Sequence, residues 1–315
     1  MADYDYVRVV SIVLLAYNSY SNLSRCIESV AKQDYDNIEI VFADDGSRNI
    51  DPDEIRRTAD RILNNRFNIK YLFAEKNRGT VKNFNNAISE SCGDLIVPLT
   101  VDDSFVDDSV ISRIVNHFNE NKSLIAKSYL CVVNGTEVCV YPNDEDLKLL
   151  DDPSAADIML LKRGLFFKGA NTYYHKDVFK KMGSFDENYV LYEDVPFLHK
   201  CLSEGIRVTV VPHVCLMYST GGMSTKKKYP EQLRLDRIRL YRDVLSQQRF
   251  KSISRWMKYR IYRHEYPSNK IVPLLLYPDV IVRDKIYRRT HRYKRTMLNS
   301  RSEIAGYIKT INDNI

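Results

Sequence analysis

Apolar residues alternate between two rhythms over the first hundred positions. Residues 9–16 form an apolar run of strand length interrupted only by Ser11, the pattern of a strand buried on both faces. After Ser21, a cap residue, Leu23, Ile27, Val30 and Ala31 recur at helical spacing. A second apolar strand at 38–43 ends in Asp44-Asp45-Gly46-Ser47, and 55–63 reads as a helix. Residues 69–73 give a third strand, followed by "EKNRGT" and a helix that puts Val81, Phe84 and Ile88 on one face. Residues 95–100 give a fourth. This alternation predicts an α/β fold with a mainly parallel central sheet flanked by helices. Pro98 lacks the N–H that a sheet ladder uses, so a local irregularity is expected there.

Further along, 127–150 reads as short strands and an acidic loop, and 177–181 as a short helix stopped near Gly183. "YEDVPFLHKCLSEG" reads as a helix with Asp194 near its cap, Pro196 in its first turn and Gly205 just past its end. A strand follows at 208–211. "STGGMSTKKKYP" reads as a flexible joint, after which Leu235, Ile238, Tyr241 and Leu245 mark an amphipathic helix.

Charge divides the chain. Residues 226–315 hold 23 of the 47 Lys and Arg but 8 of the 41 Asp and Glu, a balance of +15, against −9 for residues 1–225. Two regions are therefore expected: a catalytic domain over 1–225 and a basic, mostly helical region over 226–315 suited to a polyanionic surface. The six cysteines form no CxxC pair and the start is acidic where a signal peptide would be basic. Both features point to reduced thiols in a cytoplasmic protein. No apolar run reaches the roughly 18 residues of a membrane span.

Ligands of open α/β sheets bind beyond the carboxyl ends of the strands. Three polar clusters fall there: Tyr17-Asn18, Asp44-Asp45 and Asp102-Asp103. "PLTVDDSFVDD" packs four carboxylates after a buried-looking strand, where each raises the cost of ionising its neighbours. A bound cation would relieve that cost, and a solvated turn capping the next helix is the plainer alternative. Asp107 and Asp108 are expected in the first turn of a helix running through Ile111 and Ile114.

"VSIVLLAYNSYSNLSRCIESVAKQ", "IEIVFADDGS", "NRGTVKNFNNAI", "GDLIVPLTVDDSF", "GSFDENY" and "YEDVPFLHKCLSEG" stand in the order of the family 2 inverting glycosyltransferases. The chain resembles that family over about residues 9–215, two-thirds of its length. Each motif alone is weak, and the ordered set is specific. The resemblance implies a GT-A fold, Rossmann-like, and carries roles to matching positions. Ala16, Tyr17 and Asn18 would line the nucleotide pocket. Asp44 and Asp45 would accept hydrogen bonds from base and ribose. Asn77 and Arg78 would belong to a donor-facing loop. Asp102 and Asp103 resemble the metal-binding DxD motif, with Asp102 also facing the donor. Asp194 resembles the general base, and Glu193 and Gly169 would lie on the acceptor side.

Two departures stand out. The first position of the DxD motif holds Thr100, and the loop after the last core strand, "MYSTGGMST", lacks the histidine that often ligates the metal, leaving His213 just upstream. Mn²⁺ or Mg²⁺ would then rely more on the donor diphosphate. Hard oxygen ligands suit either ion.

The resemblance implies transfer of a hexosyl or N-acetylhexosaminyl group from a nucleotide-diphosphate sugar, UDP-linked by family frequency, to a hydroxyl of a glycan or lipid-linked acceptor. Bacterial capsule or O-antigen synthesis would be the setting. One base and no covalent intermediate imply inversion at C1. Two other readings are a nucleotide-sugar pyrophosphorylase and a non-catalytic binding protein on a decayed transferase. The first wants a Gly-rich basic loop where this chain has "AYNSYSN", and the intact "YED" speaks against the second. Taken singly, Asp44-Asp45-Gly46 reads as a turn, Asp194 as a cap, Tyr17 as a packed aromatic and Arg78 as a solvated charge.

The basic region interleaves aromatics with cations in "RWMKYRIYRHEY" and "DKIYRRTHRYKR", around "IVPLLLYPDVIV". This suits peripheral attachment to an anionic membrane on its inner face. No nucleic-acid motif accompanies the charge. Helices packed on the catalytic domain with solvated Arg and Lys outside are the plainer alternative.

Overall fold

The computed structural model describes residues 6–134, 137–142, 144–163, 169–219, 230–269, 271–290, 295–297 and 301–314. The joint expected around 220–229 lies outside them. The strands are β1 (Val10–Ala16), β2 (Ile38–Asp44), β3 (Asn68–Phe73), β4 (Leu95–Thr100), β5 (Ser104–Phe105), β6 (Ile125–Asn134), β7 (Glu137–Tyr141), β8 (Thr172–His175), β9 (Val208–Ser219) and β10 (Arg295–Met297). They join one mixed sheet in the order β10-β7-β6-β8-β4-β1-β2-β3, with β9 parallel to β6 and pairing β5. The first half, β4-β1-β2-β3, is parallel, and β8 and β7 run antiparallel to their neighbours. This is a GT-A-like α/β fold.

The helices are α1 (Leu23–Ala31), α2 (Pro52–Leu63), α3 (Thr80–Ser89), α4 (Val110–Asn121), α5 (Asp144–Leu147), α6 (Pro153–Arg163), α7 (Lys176–Met182), α8 (Asp194–Ser203), α9 (Glu231–Ser246), α10 (Ser254–Glu265), α11 (Ile271–Leu276), α12 (Pro278–Thr290) and α13 (Arg301–Asn314). Two apolar cores cover the two sheet faces. Val13 and Val41 point into one with α3 and α8, while Ile12, Leu14, Ile40 and Phe42 point into the other with α1, α2 and α4. Burial on both faces is why β1 and β2 read as nearly continuous apolar runs, interrupted by Ser11 and Glu39.

Pro98 sits inside β4, a central strand, and its register with β1 is unbroken. The N–H groups of Leu95 and Val101 donate to Val9 and Leu15 carbonyls on the β1 side. By alternation the Pro98 nitrogen faces β8, whose pairing with β4 stops at Ile96. The irregularity is therefore a short β4–β8 ladder, and no hydrogen bond is lost.

Three sequence expectations shift. Asp107 and Asp108 precede α4 instead of lying in its first turn; Asp107 accepts from the Ser109 N–H at 3.0 Å and pairs with Arg113 at 2.8 Å. Leu235 of α9 is exposed, and the buried face carries Leu233, Ile238, Leu240, Tyr241 and Val244 around a buried Asp236. Finally, charge divides the chain at 225 but the core does not. Leu233, Tyr241, Trp256, Met257, Val280 and Ile304 join the same apolar cluster as Val13 and Val195. β10 extends the sheet beside β7, and Asn312 of α13 accepts from the β9 Val214 N–H at 2.7 Å.

Candidate active site

Parallel register brings the ends of β1, β2 and β4 side by side: Ala16 lies beside Asp44, and Leu15 beside Thr100. Short-range hydrogen bonds stitch the loops beyond them. The left-handed Asn18 accepts the Arg48 N–H through its side chain at 2.9 Å and donates its own N–H to the Ser47 hydroxyl at 2.7 Å. The Ser19 hydroxyl donates to Asp102 Oδ1 at 2.6 Å.

The two aspartates after β2 are nearly sealed from solvent. Asp44 accepts the Tyr20 hydroxyl at 2.5 Å, the Ser47 N–H at 2.8 Å and the Ser47 hydroxyl. Asp45 accepts the N–H groups of Arg78 and Gly79 at 2.8 and 2.9 Å and the Asn77 amide at 3.0 Å. Burial pushes Asp45 above the usual carboxylate range, against the pull of these donors. It clamps the "NRG" loop and leaves the side chains of Asn77 and Arg78 exposed. Gly79, at φ +89°, has no room for a Cβ: one would lie 2.4 Å from the Val190 side chain. The "NRG" loop thus abuts the segment leading to Asp194. Tyr17 is 42% exposed, its ring open to a stacking partner.

The acidic pair after β4 divides its tasks. Asp103 is 1% exposed and accepts the Thr100 hydroxyl at 2.6 Å and the Ser219 N–H at 2.8 Å. Arg25 lies behind the turn, donating to the Asp102 carbonyl at 2.9 Å and the Ser219 hydroxyl at 3.0 Å. The Asp103 carboxylate, a candidate metal ligand, thus also ties the turn to the end of β9. Asp102 is half-buried and remains the more open carboxylate. Among the described residues no three His, Cys, Asp or Glu side chains converge as a metal cage. His213 sits near Asp107 and Arg113, in a bulged part of β9, and not by Asp102. These residues fit a divalent cation held by the Asp102 carboxylate and completed by phosphate oxygens, the mode in which Mg²⁺ is commonly bound.

Asp194 opens α8, with Glu193 beside it, and both are half-buried. The Val195 N–H donates to Asp194 Oδ1 at 2.7 Å. Gly169 packs on the pair: a Cβ there would stand 3.2 Å from Glu193 Oε1 and 3.4 Å from Asp194 Oδ2. Low hydration raises both carboxyls, Glu193 to about 8 with the Asp194 charge adding to it. The Val195 N–H and then the cation of Lys127 oppose the rise at Asp194. Lys127 projects from β6, fully buried, and donates to Thr172 at 2.7 Å and Asn171 at 3.2 Å. Asp236 of α9 accepts the N–H groups of Val190 and Leu191 at 3.0 and 2.7 Å, holding the approach to Glu193 and Asp194.

Sequence reasoning missed Ser19, Arg25, Lys127, Asp236 and Ser219. A lysine within the apolar strand "IAKSYL" was a signal, because an unpaired cation is rarely buried. Asp236 gave none, since a carboxylate on a charged helix reads as solvated.

The sequence model described as Glycosyl transferase family 2 matches residues 11–183, more than half of the chain. The chain belongs to that family. This glycosyltransferase is 26% identical over 243 residues to the succinoglycan biosynthesis protein ExoO of Rhizobium meliloti, covering 74% of this chain and 66% of that protein. Among solved structures it resembles S. aureus TarS 1–349 in complex with UDP-GlcNAc, at TM-score 0.61 and 18% identity, over 86% of this chain and 76% of that one. It also resembles the mannosyltransferase PcManGT from Pyrobaculum calidifontis in complex with GDP-Man and Mn²⁺, at TM-score 0.56 and 16% identity, over 97% and 88%. At these identities the two structures speak to the fold.

Proposed function

We propose that this glycosyltransferase moves a hexosyl or N-acetylhexosaminyl group from a nucleotide-diphosphate sugar, a UDP-sugar by preference, to a hydroxyl of a glycan or lipid-linked acceptor, with inversion at C1. Growth of a bacterial surface polysaccharide such as capsule or O-antigen, at the cytoplasmic face of the membrane, is the setting we favour. The observations that carry the reading are an open carboxylate at Asp102, in the turn after β4, and a second, poorly hydrated carboxylate at Asp194 that the Gly169 and Asp236 segments hold in place.

The residues take these roles. The nucleoside lies against Tyr17, with Ala16 and Asn18 shaping the floor and Asp44 and Asp45 setting the loops around it. Asn77 and Arg78 reach toward the donor, and Arg78 supplies a cation for the diphosphate. A Mn²⁺ or Mg²⁺ ion at Asp102 would offset the negative charge that develops on the leaving diphosphate. Asp103 supports Asp102 by fixing the turn. Asp194 accepts the proton of the acceptor hydroxyl, and its raised pKa makes it a stronger base than an exposed aspartate. Glu193 and Gly169 shape the acceptor side.

The experiment is a panel of nucleotide sugars with and without Mn²⁺ or Mg²⁺, read as thermal stabilisation and then as slow release of free nucleoside diphosphate. A native-state ligand at 100 times its dissociation constant stabilises by about 2.7 kcal/mol. One donor class should stand out, with stabilisation that a chelator removes. Equal response to all donors, or none, overturns the reading.

A further inference from the structure

The C-terminal region turns an apolar face outward. α11 presents Ile271, Leu274 and Leu275 at the spacing of one helical face, 72%, 54% and 74% exposed, and Leu276 is also exposed. Tyr277 alone separates α11 from α12, where exposed Val282 and Ile286 stand one turn apart. Exposed apolar residues scattered singly need no explanation, but six within sixteen positions form a patch that marks an interaction. The framework beneath is fixed. Pro273 and Val280 are buried, Arg255 of α10 donates to the Leu276 carbonyl at 2.7 Å and pairs with Asp279, and the Tyr277 ring meets Tyr259. The leucines therefore face outward on anchored helices. Cations accompany them: Arg283, Lys285 and Arg289 on α12 and Lys258 on α10 are all exposed.

We propose that the α11–α12 face docks on an anionic lipid bilayer. Ile271, Leu274 and Leu275 enter the boundary between headgroups and acyl chains, and Arg283, Lys285 and Arg289 meet headgroup phosphates. Apolar groups with flanking Lys and Arg match that interface on both counts. A second copy of the chain matches it poorly, because pairing this face with itself opposes like charges in a region of net +15. No described helix is long and apolar enough to cross a membrane, so the attachment lies in the plane of the surface. The proposal rests on the lipid-linked acceptor reading for its use. The test below reads binding alone, so either can fail without the other.

The full chain is sedimented with phosphatidylcholine vesicles containing graded phosphatidylglycerol. It is compared with Leu274→Ser/Leu275→Ser and with Lys285→Glu/Arg289→Glu, and melting curves and sedimentation velocity are run on each. Partitioning should rise with the anionic fraction and fall roughly tenfold or more in each double variant, with melting temperatures unchanged. Three results overturn the proposal: equal partitioning of the leucine variant, binding indifferent to anionic lipid, or a wild-type dimer that the leucine variant splits while no vesicle binding occurs.

Discussion

Asp194 must be a carboxylate to accept a proton, yet its surroundings favour the protonated form. Activity should therefore be lost as pH falls through a value above the ordinary aspartate range. Lys127 opposes that shift from a buried position on β6. Lys127→Met should move the acid limb of the kcat/KM profile to higher pH. A variant that only loosened the fold would lower the plateau and leave the limb in place. Asp194→Asn keeps the size and the capping ability but cannot take the proton, so transfer should fall at least about a hundredfold while donor-induced stabilisation persists. The two acidic residues after β4 should separate cleanly. Asp102→Ala should abolish metal-dependent donor stabilisation with little effect on melting. Asp103→Ala strands the Thr100 and Ser219 donors and should cost about 2–4 kcal/mol in a denaturant titration. The candidacy of Asp194 and the acidic pair came from motif order. The contacts of Asp103 could not be read there, because one partner, Ser219, lies 116 residues beyond it in sequence.

Elements were legible wherever one periodicity ruled. β1, β2 and β4 carry mostly apolar runs, and α8 is framed by Pro196 near its start and Gly205, at φ +76°, past its end. Legibility failed at α9. Leu235 fits a helical stripe with Ile238, Tyr241 and Leu245, but the face that packs is rotated to admit Asp236. A pattern search counts that carboxylate as polar and therefore outward, whereas here two backbone N–H groups and the Gln232 amide satisfy it. Those N–H groups belong to Val190 and Leu191, four and three residues before Asp194, and the Val190 carbonyl accepts from Val81 of α3. α9 therefore sets the position of Asp194, the proposed base, through a short segment also braced by the "NRG" loop and α3. Asp236→Ala leaves both N–H groups without their acceptor and should cost about 2–5 kcal/mol. It should lower kcat more than it raises donor KM, while Asp236→Asn, which keeps one acceptor oxygen, should recover part of each. A loss of stability with kcat unchanged would remove α9 from the positioning role.

At the scale of the whole molecule, charge and core give different boundaries, and the core governs folding. The sign change near residue 225 invites a cut, with a catalytic body on one side and an attachment region on the other. Yet Leu233, Leu240, Tyr241, Val244, Trp256 and Met257 are buried in the same cluster as Val195, Leu198 and Leu202 of α8. Each fully buried side chain of this kind contributes about 1.5–3 kcal/mol. Losing six of them approaches or exceeds the 5–15 kcal/mol that holds a typical domain together. Tyr189 would also lose Asp243, Asn188 would lose the Arg239 guanidinium, and Val214 of β9 would lose Asn312. A chain ending at residue 225 should thus fail to reach a stable native state. It should bind a hydrophobic dye, show no cooperative melt and transfer nothing, even though every motif that marks the family lies before the cut. A cut after Glu265, which keeps α9 and α10 and removes α11–α13, spares the Asp236 clamp and all six of those side chains. It should retain donor-induced stabilisation at a reduced melting temperature. A cooperative, active chain of residues 1–225 would show that the basic region is an appendage and that its packing on α8 is dispensable.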